Sequence, residues 1–149
     1  MHIQTESPDQ PEVRAMLEKL DAFHADLYPA ESNHLLDVSA LLQPEVRFLV
    51  ARDAGGRAIG CAALARRGDY AEIKRMFVDE AARGQGIGRA LLEQLALHAL
   101  AANLHALRLE TGIHQAPALK LYENFGFARC APFGDYRPDP LSVFMEKRL

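Results

Sequence analysis

The chain has 149 residues, the length of one domain by the usual ~100–200 residues per domain, with room for a real core. Hydrophobic residues make up 49% and charged residues 25%, a composition that excludes a disordered or fibrous chain. The net charge of −3 is uneven: residues 1–46 hold nine acids against two bases, and the rest holds fifteen bases against eleven acids, so the later part is the one suited to an anion. A balance this mild, with no Lys/Arg cluster interleaved with aromatics, argues against nucleic acid as a partner.

Residues 2–6 read as a strand. Asp9, Pro11 and Glu12 then predict a helix start, with Asp9 as the cap, Pro11 where no amide donor is needed and Glu12 closing a capping box. Val13, Met16, Leu17, Leu20, Phe23 and Leu27 continue at helical spacing until Pro29. A short helix over 35–42 is a weaker expectation, because Pro44 closes it quickly and its apolar pairs fit more than one register. Strands over 47–52 and 58–64 flank Asp53-Ala54-Gly55-Gly56-Arg57, whose glycines suit a hairpin turn, and 71–78 is a third strand of this group.

After it, Arg83-Gly84-Gln85-Gly86-Ile87-Gly88-Arg89 leads into a long helix beginning Ala90-Leu91-Leu92, and residues 106–111 form another strand. A strand, helix and strand in this order should run parallel with a right-handed crossover. A last helix runs from Pro117 to about Phe125 with Gly126 as its left-handed cap, and 142–147 is a closing strand. The expected class is α/β (α+β by some schemes), one domain over 1–149 with a mixed sheet flanked by helices.

Cys61 and Cys130 lie among apolar neighbours and read as reduced, structural thiols. No apolar run approaches the ~18 residues of a membrane span, and the first residues lack the basic and apolar pattern of a signal peptide, so the cytoplasm is the default expectation and no membrane partner is foreseen. None of His2, His24, His34, His98, His105 and His114 pairs at zinc-helix spacing and no C-x-x-C occurs, so no metal site is expected.

The Arg83 to Arg89 loop is the strongest local signal. Gly84, Gly86 and Gly88 let backbone amides approach an anion closely, and the following helix aims its positive dipole end at the same place. A glycine-rich turn without a ligand is the plainer alternative. A nucleoside-triphosphate loop would need Gly-Lys-Ser or Gly-Lys-Thr, whereas Gly88 is followed by Arg89-Ala90. A dinucleotide fingerprint would need glycine where Arg89 stands, so that reading is only a runner-up, although Glu110 lies at a suggestive distance.

The same loop with Ala90-Leu91-Leu92, preceded by Met76-Phe77-Val78, resembles the acetyl-coenzyme A motif of the GNAT N-acetyltransferase superfamily. Ala118-Leu119-Lys120-Leu121-Tyr122-Glu123-Asn124-Phe125-Gly126-Phe127 is similar to that family's second block. The resemblance covers the chain from about Phe48 onward; the first 46 residues match only the family's variable helices, which usually shape the acceptor site. It implies a splayed pair of parallel strands, 72–78 and 107–111, with the pantetheine arm of acetyl-coenzyme A in the gap. The pyrophosphate would rest on amides from Gly84, Gln85, Gly86, Ile87, Gly88 and Arg89, next to Arg83, with Met76, Phe77 and Val78 along the arm.

Where the family often places an asparagine that contacts the coenzyme, this chain has Gln115, which either keeps that contact or merely helps start the helix with Pro117. Tyr122 occupies the family's general-acid position. Its ordinary pKa of ~10 against ~8.5 for a thiol makes full proton transfer uphill, so a hydrogen bond to the leaving sulfur is the better description; a core tyrosine is the alternative.

An amine acceptor must also lose a proton, and Glu72 matches a glutamate that acts as a base through water in histone-type members. Glu72 alternates with Lys74 and reads equally as a solvated strand residue paired with it; Glu110 is the second candidate. The oxyanion donor would be a backbone amide near Phe77 or Val78. Ser142 has no G-x-S-x-G elbow, which demotes hydrolase chemistry.

The expected activity is therefore acetyl transfer from acetyl-coenzyme A to a primary amine of a small molecule. A coenzyme-binding sensor, or an acetyltransferase of protein amino termini or lysines, are the alternatives. The acidic first 46 residues would draw a cationic acceptor unless they are simply a solvated helix face. Phe133 to Tyr136 and Pro138-Asp139-Pro140 line either the acceptor site or a homodimer contact.

Overall fold

The computed structural model describes residues 1–29 and 37–149. Its strands are β1 (His2–Thr5), β2 (Val46–Arg52), β3 (Ala58–Arg67), β4 (Tyr70–Val78), β5 (Ala106–Gly112), β6 (Ala128–Arg129) and β7 (Ser142–Arg148), ordered β1-β2-β3-β4-β5-β7-β6 in one sheet. All neighbours are antiparallel except β4 and β5, the pair joined through a helix, so the sheet is mixed as expected. The two-residue β6 carries too little pattern to be read from sequence.

The helices are α1 (Pro11–Leu27), α2 (Val38–Leu41), α3 (Ile87–Ala101) and α4 (Ala116–Phe125). Both faces of the sheet are covered. On one, Leu91, Leu92 and Leu95 of α3 pack with Leu49, Ile73, Leu107, Leu109 and Met145; on the other, Val13, Met16 and Leu17 of α1 pack with Phe48, Val50, Cys61 and Ala63. That is why Phe48-Leu49-Val50-Ala51 is continuously apolar, its alternate residues entering opposite cores. No helix among the described residues is long and apolar enough to cross a membrane.

Several local expectations are corrected. Gln10, not Asp9, is the cap residue of α1 and makes no side-chain cap bond, while the Asp9 carboxylate pairs with Arg14 at 2.8 Å, so the capping box does not form. Phe23 is 47% exposed, because the buried stripe of α1 passes from Leu20 to Tyr28 and skips position 23. The second helix is only Val38–Leu41, capped by the Asp37 carboxylate on the Ala40 amide; residues 35 and 36 of the expected span lie outside the described residues. Cys61 is fully buried, but Cys130 is only partly so; both are free thiols.

Arg52 ties β2 to the chain after β1, donating to Glu6 at 2.8 and 2.9 Å and pairing with Glu12 at 2.6 Å. The guanidinium holds the Glu6 carboxyl well below the ordinary carboxylate range, at about 2. A depressed carboxyl stabilises the fold above its unfolded value of 4.5 and loses that contribution as pH falls through 4.5 toward 2. Urea unfolding followed against pH should therefore show a loss over that window, and Glu6→Gln should flatten it while costing stability at neutral pH.

Candidate active site

Along β4 and β5, pairing covers only Ala71, Ile73 and the residue between them against Leu107 to Leu109; beyond that point the two strands part. The cause lies in β4. Cys61 faces Phe77 while Ala63 faces Lys74, so β4 spends one more residue than β3 over the same stretch. The extra residue sits at Arg75, whose φ of 56° lies in the left-handed region, a bulge of the kind that redirects side chains beside active sites. The gap it helps open holds a cavity of about 60 Å³, whose wall includes His24, Tyr28, Lys74, Met76, Gln115 and Tyr122, with Arg75 and Glu110. By the ~10–15 Å³ a water needs, it admits a few waters or one small polar group.

At the far end of β4 the glycine-rich loop turns into α3. Gly84 and Gly86 have φ of 82° and 77°, conformations that a side chain would strain, and Gly86 stands at the cap of α3. Ala90 is the first amide bonded back to Gly86, which leaves the first-turn amides of Ile87, Gly88 and Arg89 without partners inside the helix. Gly88 has a packing role: a Cβ there would meet Leu121 of α4 at 2.8 Å, so glycine lets α4 approach α3. The exposed Arg83 donates to the Val78 carbonyl at 3.2 Å, and Arg89 pairs with Glu93 at 3.3 Å and lies over the Phe125 ring. Phe77 and Val78 are half-buried on the part of β4 that β5 has left.

From the other side, Gln115 immediately precedes α4 and makes no capping bond. Its Nε2 is buried with no hydrogen-bond partner among the described residues, an omission that ordinarily costs about 1–3 kcal/mol. Tyr122 is the buried residue of α4, 6% exposed, and packs edge-on against Phe127 while lining the cavity. Burial pushes its phenol above the ordinary value, so it stays protonated and a donor at any working pH.

The two candidate bases are separated by the fold. Glu72 is 3% exposed, which removes the solvated-strand reading. Tyr136 donates to its Oε2 at 2.6 Å, Arg67 lies 3.3 Å from Oε1 and the Lys74 ammonium lies 3.7 Å away. Lys74 also donates to the Tyr136 hydroxyl at 2.7 Å. Among the described residues the cavity wall includes Glu110 and Lys74 but not Glu72. Ser142, the residue weighed for hydrolysis, donates to Glu110 at 2.8 Å. Burial lowers the Lys74 ammonium, against the pull of Glu72 and Glu110, and burial with the Glu72 bond raises the Tyr136 phenol.

The segment around Phe133 to Tyr136 therefore packs inside this chain: Phe133 is buried against Tyr70, Tyr136 and Phe144.

The α1 wall was only partly visible in sequence. Tyr28 caps α1, stacks on His114 with centroids 5.7 Å apart and accepts from its amide at 3.2 Å. It reaches there because Gly112 has no side chain: a Cβ would sit 1.7 Å from the hydroxyl. Gly112→Ala should displace the ring and, at the ~1–3 kcal/mol typical of overpacking, lower the melting temperature by about 5 °C; calorimetry checks this. Burial and the Arg75 charge lower the His24 imidazole. The acids of α1 are exposed, and one of them, Asp21, pairs with the buried Arg75. Arg75 was missed because the bulge breaks the alternation that would place it; Tyr136, expected at the acceptor site or a dimer contact, was not linked to Glu72, which is distant in sequence.

A parallel pair splayed beside a glycine-rich helix start, with a buried unsatisfied amide and a buried tyrosine at the gap, defines a coenzyme-dependent acyl-transfer site. The sequence profile of the acetyltransferase (GNAT) family matches residues 13–127, and the chain belongs to that family. It is 55% identical to an IAA acetyltransferase of Azospirillum brasilense over 149 residues, 99% of this chain and 97% of the relative. It is 40% identical to the uncharacterized N-acetyltransferase YsnE of Bacillus subtilis over 81% of this chain and 82% of the relative. A solved Klebsiella pneumoniae structure assigned as an acyl-CoA N-acyltransferase superposes with a TM-score of 0.88 at 39% identity, covering 99% of this chain and 97% of that one. The protein is an acetyl-coenzyme A-dependent acetyltransferase. The Gln115 Nε2 without an acceptor among the described residues and the two left-handed glycines fit a coenzyme laid across the gap.

Proposed function

We propose that this chain, acting as one domain over 1–149, transfers acetyl from acetyl-coenzyme A to a primary amine of a small molecule by direct attack. The observation that carries the reading is the cavity at the parting of β4 and β5, which brings Tyr122, Gln115 and Glu110 together. When bound, acetyl-coenzyme A supplies the activated thioester. Amides from Gly84 to Arg89 hold its pyrophosphate with Arg83 alongside, the free edge of β4 at Met76, Phe77 and Val78 pairs with the pantetheine arm, and Gln115 donates to it. A β4 amide near Phe77 or Val78 donates to the carbonyl oxygen as charge develops there. Glu110 takes the proton of the amine and Tyr122 donates to the departing sulfur.

Glu72 stands one layer back, reached from the cavity through Lys74 and Tyr136, so a role as base would run through them. No acyl-cysteine is involved: burial pushes the Cys61 thiol up to about 12, and Cys130 lies outside the cavity wall. A small cavity with α1 as one wall favours a small acceptor over a protein segment.

Thiol release from acetyl-coenzyme A against a pool of amines, polyamines, amino acids, aminoglycosides and peptides tests this. Acceptor-dependent release that collapses in Tyr122→Phe is expected. A coenzyme-induced rise in melting temperature without release from any acceptor would overturn the reading in favour of a binding module.

A further inference from the structure

The bulge in β4 does more than part the strands. In a regular strand, neighbours point to opposite faces; here the cavity wall runs through four consecutive residues, Ile73, Lys74, Arg75 and Met76, of which Ile73 and Met76 also pack into the core on the α3 side. Arg75 is held there in a left-handed backbone conformation that arginine rarely adopts, and its side chain is 3% exposed. Its guanidinium is only partly used. One terminal nitrogen pairs with Asp21 at 2.5 Å and the other reaches the Leu17 carbonyl at 3.5 Å, the outer limit of a hydrogen bond. The Nε is buried and, among the described residues, without any acceptor.

The charges around the cavity point the same way. Its lining contains two cations, Lys74 and Arg75, and one carboxylate, Glu110. Their counter-ions Asp21 and Glu72 lie outside that lining, and the α1 residues in it, Leu20, His24 and Tyr28, carry no negative charge. A bare protonated amine would meet more positive than negative charge in this wall. A molecule with both an amine and a carboxylate would match it, its amine toward Glu110 and its carboxylate toward the unfilled Arg75 donor, for which a guanidinium is the suited partner.

We infer that Arg75, assisted by Lys74, forms an anion subsite at the acceptor end of the cavity, and that the acceptor is an aminocarboxylic acid. The inference rests on the proposed acetyl transfer to an amine at this site. Arg75 sets specificity and takes no part in the bond changes: the amine nitrogen bonds to the acetyl carbon, the carbon–sulfur bond breaks, the amine proton goes to the base and the sulfur leaves as coenzyme A thiol.

The test pairs each acid with the amine that lacks its carboxylate: phenylalanine with phenethylamine, tryptophan with tryptamine, leucine with isopentylamine, β-alanine with ethylamine and γ-aminobutyrate with propylamine. Initial rates of thiol release give kcat/KM for each. At least one acid should exceed its amine by tenfold or more in the wild type, and Arg75→Met should bring that ratio to within threefold of one, through KM rather than kcat. Arg75→Lys keeps the charge, guards against a folding failure of the first variant and should retain an intermediate ratio. The coenzyme-induced rise in melting temperature should survive in both. Amines turned over as well as their acids by the wild type, or a preference for acids that survives Arg75→Met, would overturn the subsite and leave the transfer reading standing. Thiol release with neither series, while the coenzyme still binds, would overturn both.

Discussion

Tyr122→Phe is expected to lower kcat by about 10²-fold while leaving coenzyme affinity within a factor of two. In the proposed reaction the hydroxyl is a single donor to charge that develops only as the sulfur leaves, and losing one such donor ordinarily costs about 10²–10³ in rate. The ring stays: its packing against Phe127 and in the α3 core does not depend on the oxygen, so the variant should fold normally. Because burial raises the phenol, its proton is retained throughout the working pH range, and the alkaline limb of the wild-type profile should belong to another group and persist in the variant. Steady-state kinetics at saturating coenzyme, with thermal shift as the binding control, measure both quantities. A fall of less than threefold would assign protonation of the thiol to solvent and leave Tyr122 as a wall of the cavity.

The parts of this site that the sequence made legible are those whose chemistry is local. A glycine loop opening a helix declares itself within seven residues, since the φ of Gly84 and Gly86 and the amides of the first turn of α3 are properties of that segment alone. The splay was foreseen only through the family resemblance; nothing in the alternation of residues 71–78 marks the bulge, because one extra residue inverts every inside–outside assignment after it. Arg75 was invisible for that reason. Tyr28 was hidden differently: its place depends on Gly112, 84 positions away, having no side chain. The choice between Glu72 and Glu110 could not be read either, since both lie on strands beside apolar residues and only the distant Tyr136 separates a sealed carboxylate from one at the cavity. Asp9 is not the cap because the helix starts one residue later than the pattern suggests, with Gln10 at the cap position and Asp9 paired with Arg14.

The two glutamates can be told apart by what each leaves behind when neutralised. Glu110→Gln should lower kcat/KM by about 10²–10³ at neutral pH, because the carboxylate proposed to take the amine's proton is gone. The loss should shrink by nearly tenfold per pH unit as pH rises toward the pKa of the acceptor amine, since bulk solvent then supplies the free base. Glu72→Gln removes the carboxylate between Arg67 and Lys74 and leaves those cations buried or half-buried without it. Breaking such a buried pair ordinarily costs about 3–5 kcal/mol, so the main effect should be on stability, with activity of the folded enzyme within tenfold of wild type. Urea unfolding and rate–pH profiles of both variants separate these outcomes. If the folded Glu72→Gln enzyme instead loses its rate and recovers it at high pH while Glu110→Gln does not, the proton leaves through Lys74 and Tyr136 to Glu72. The short contacts between those three residues would then be the relay rather than a neutralised patch of the sheet.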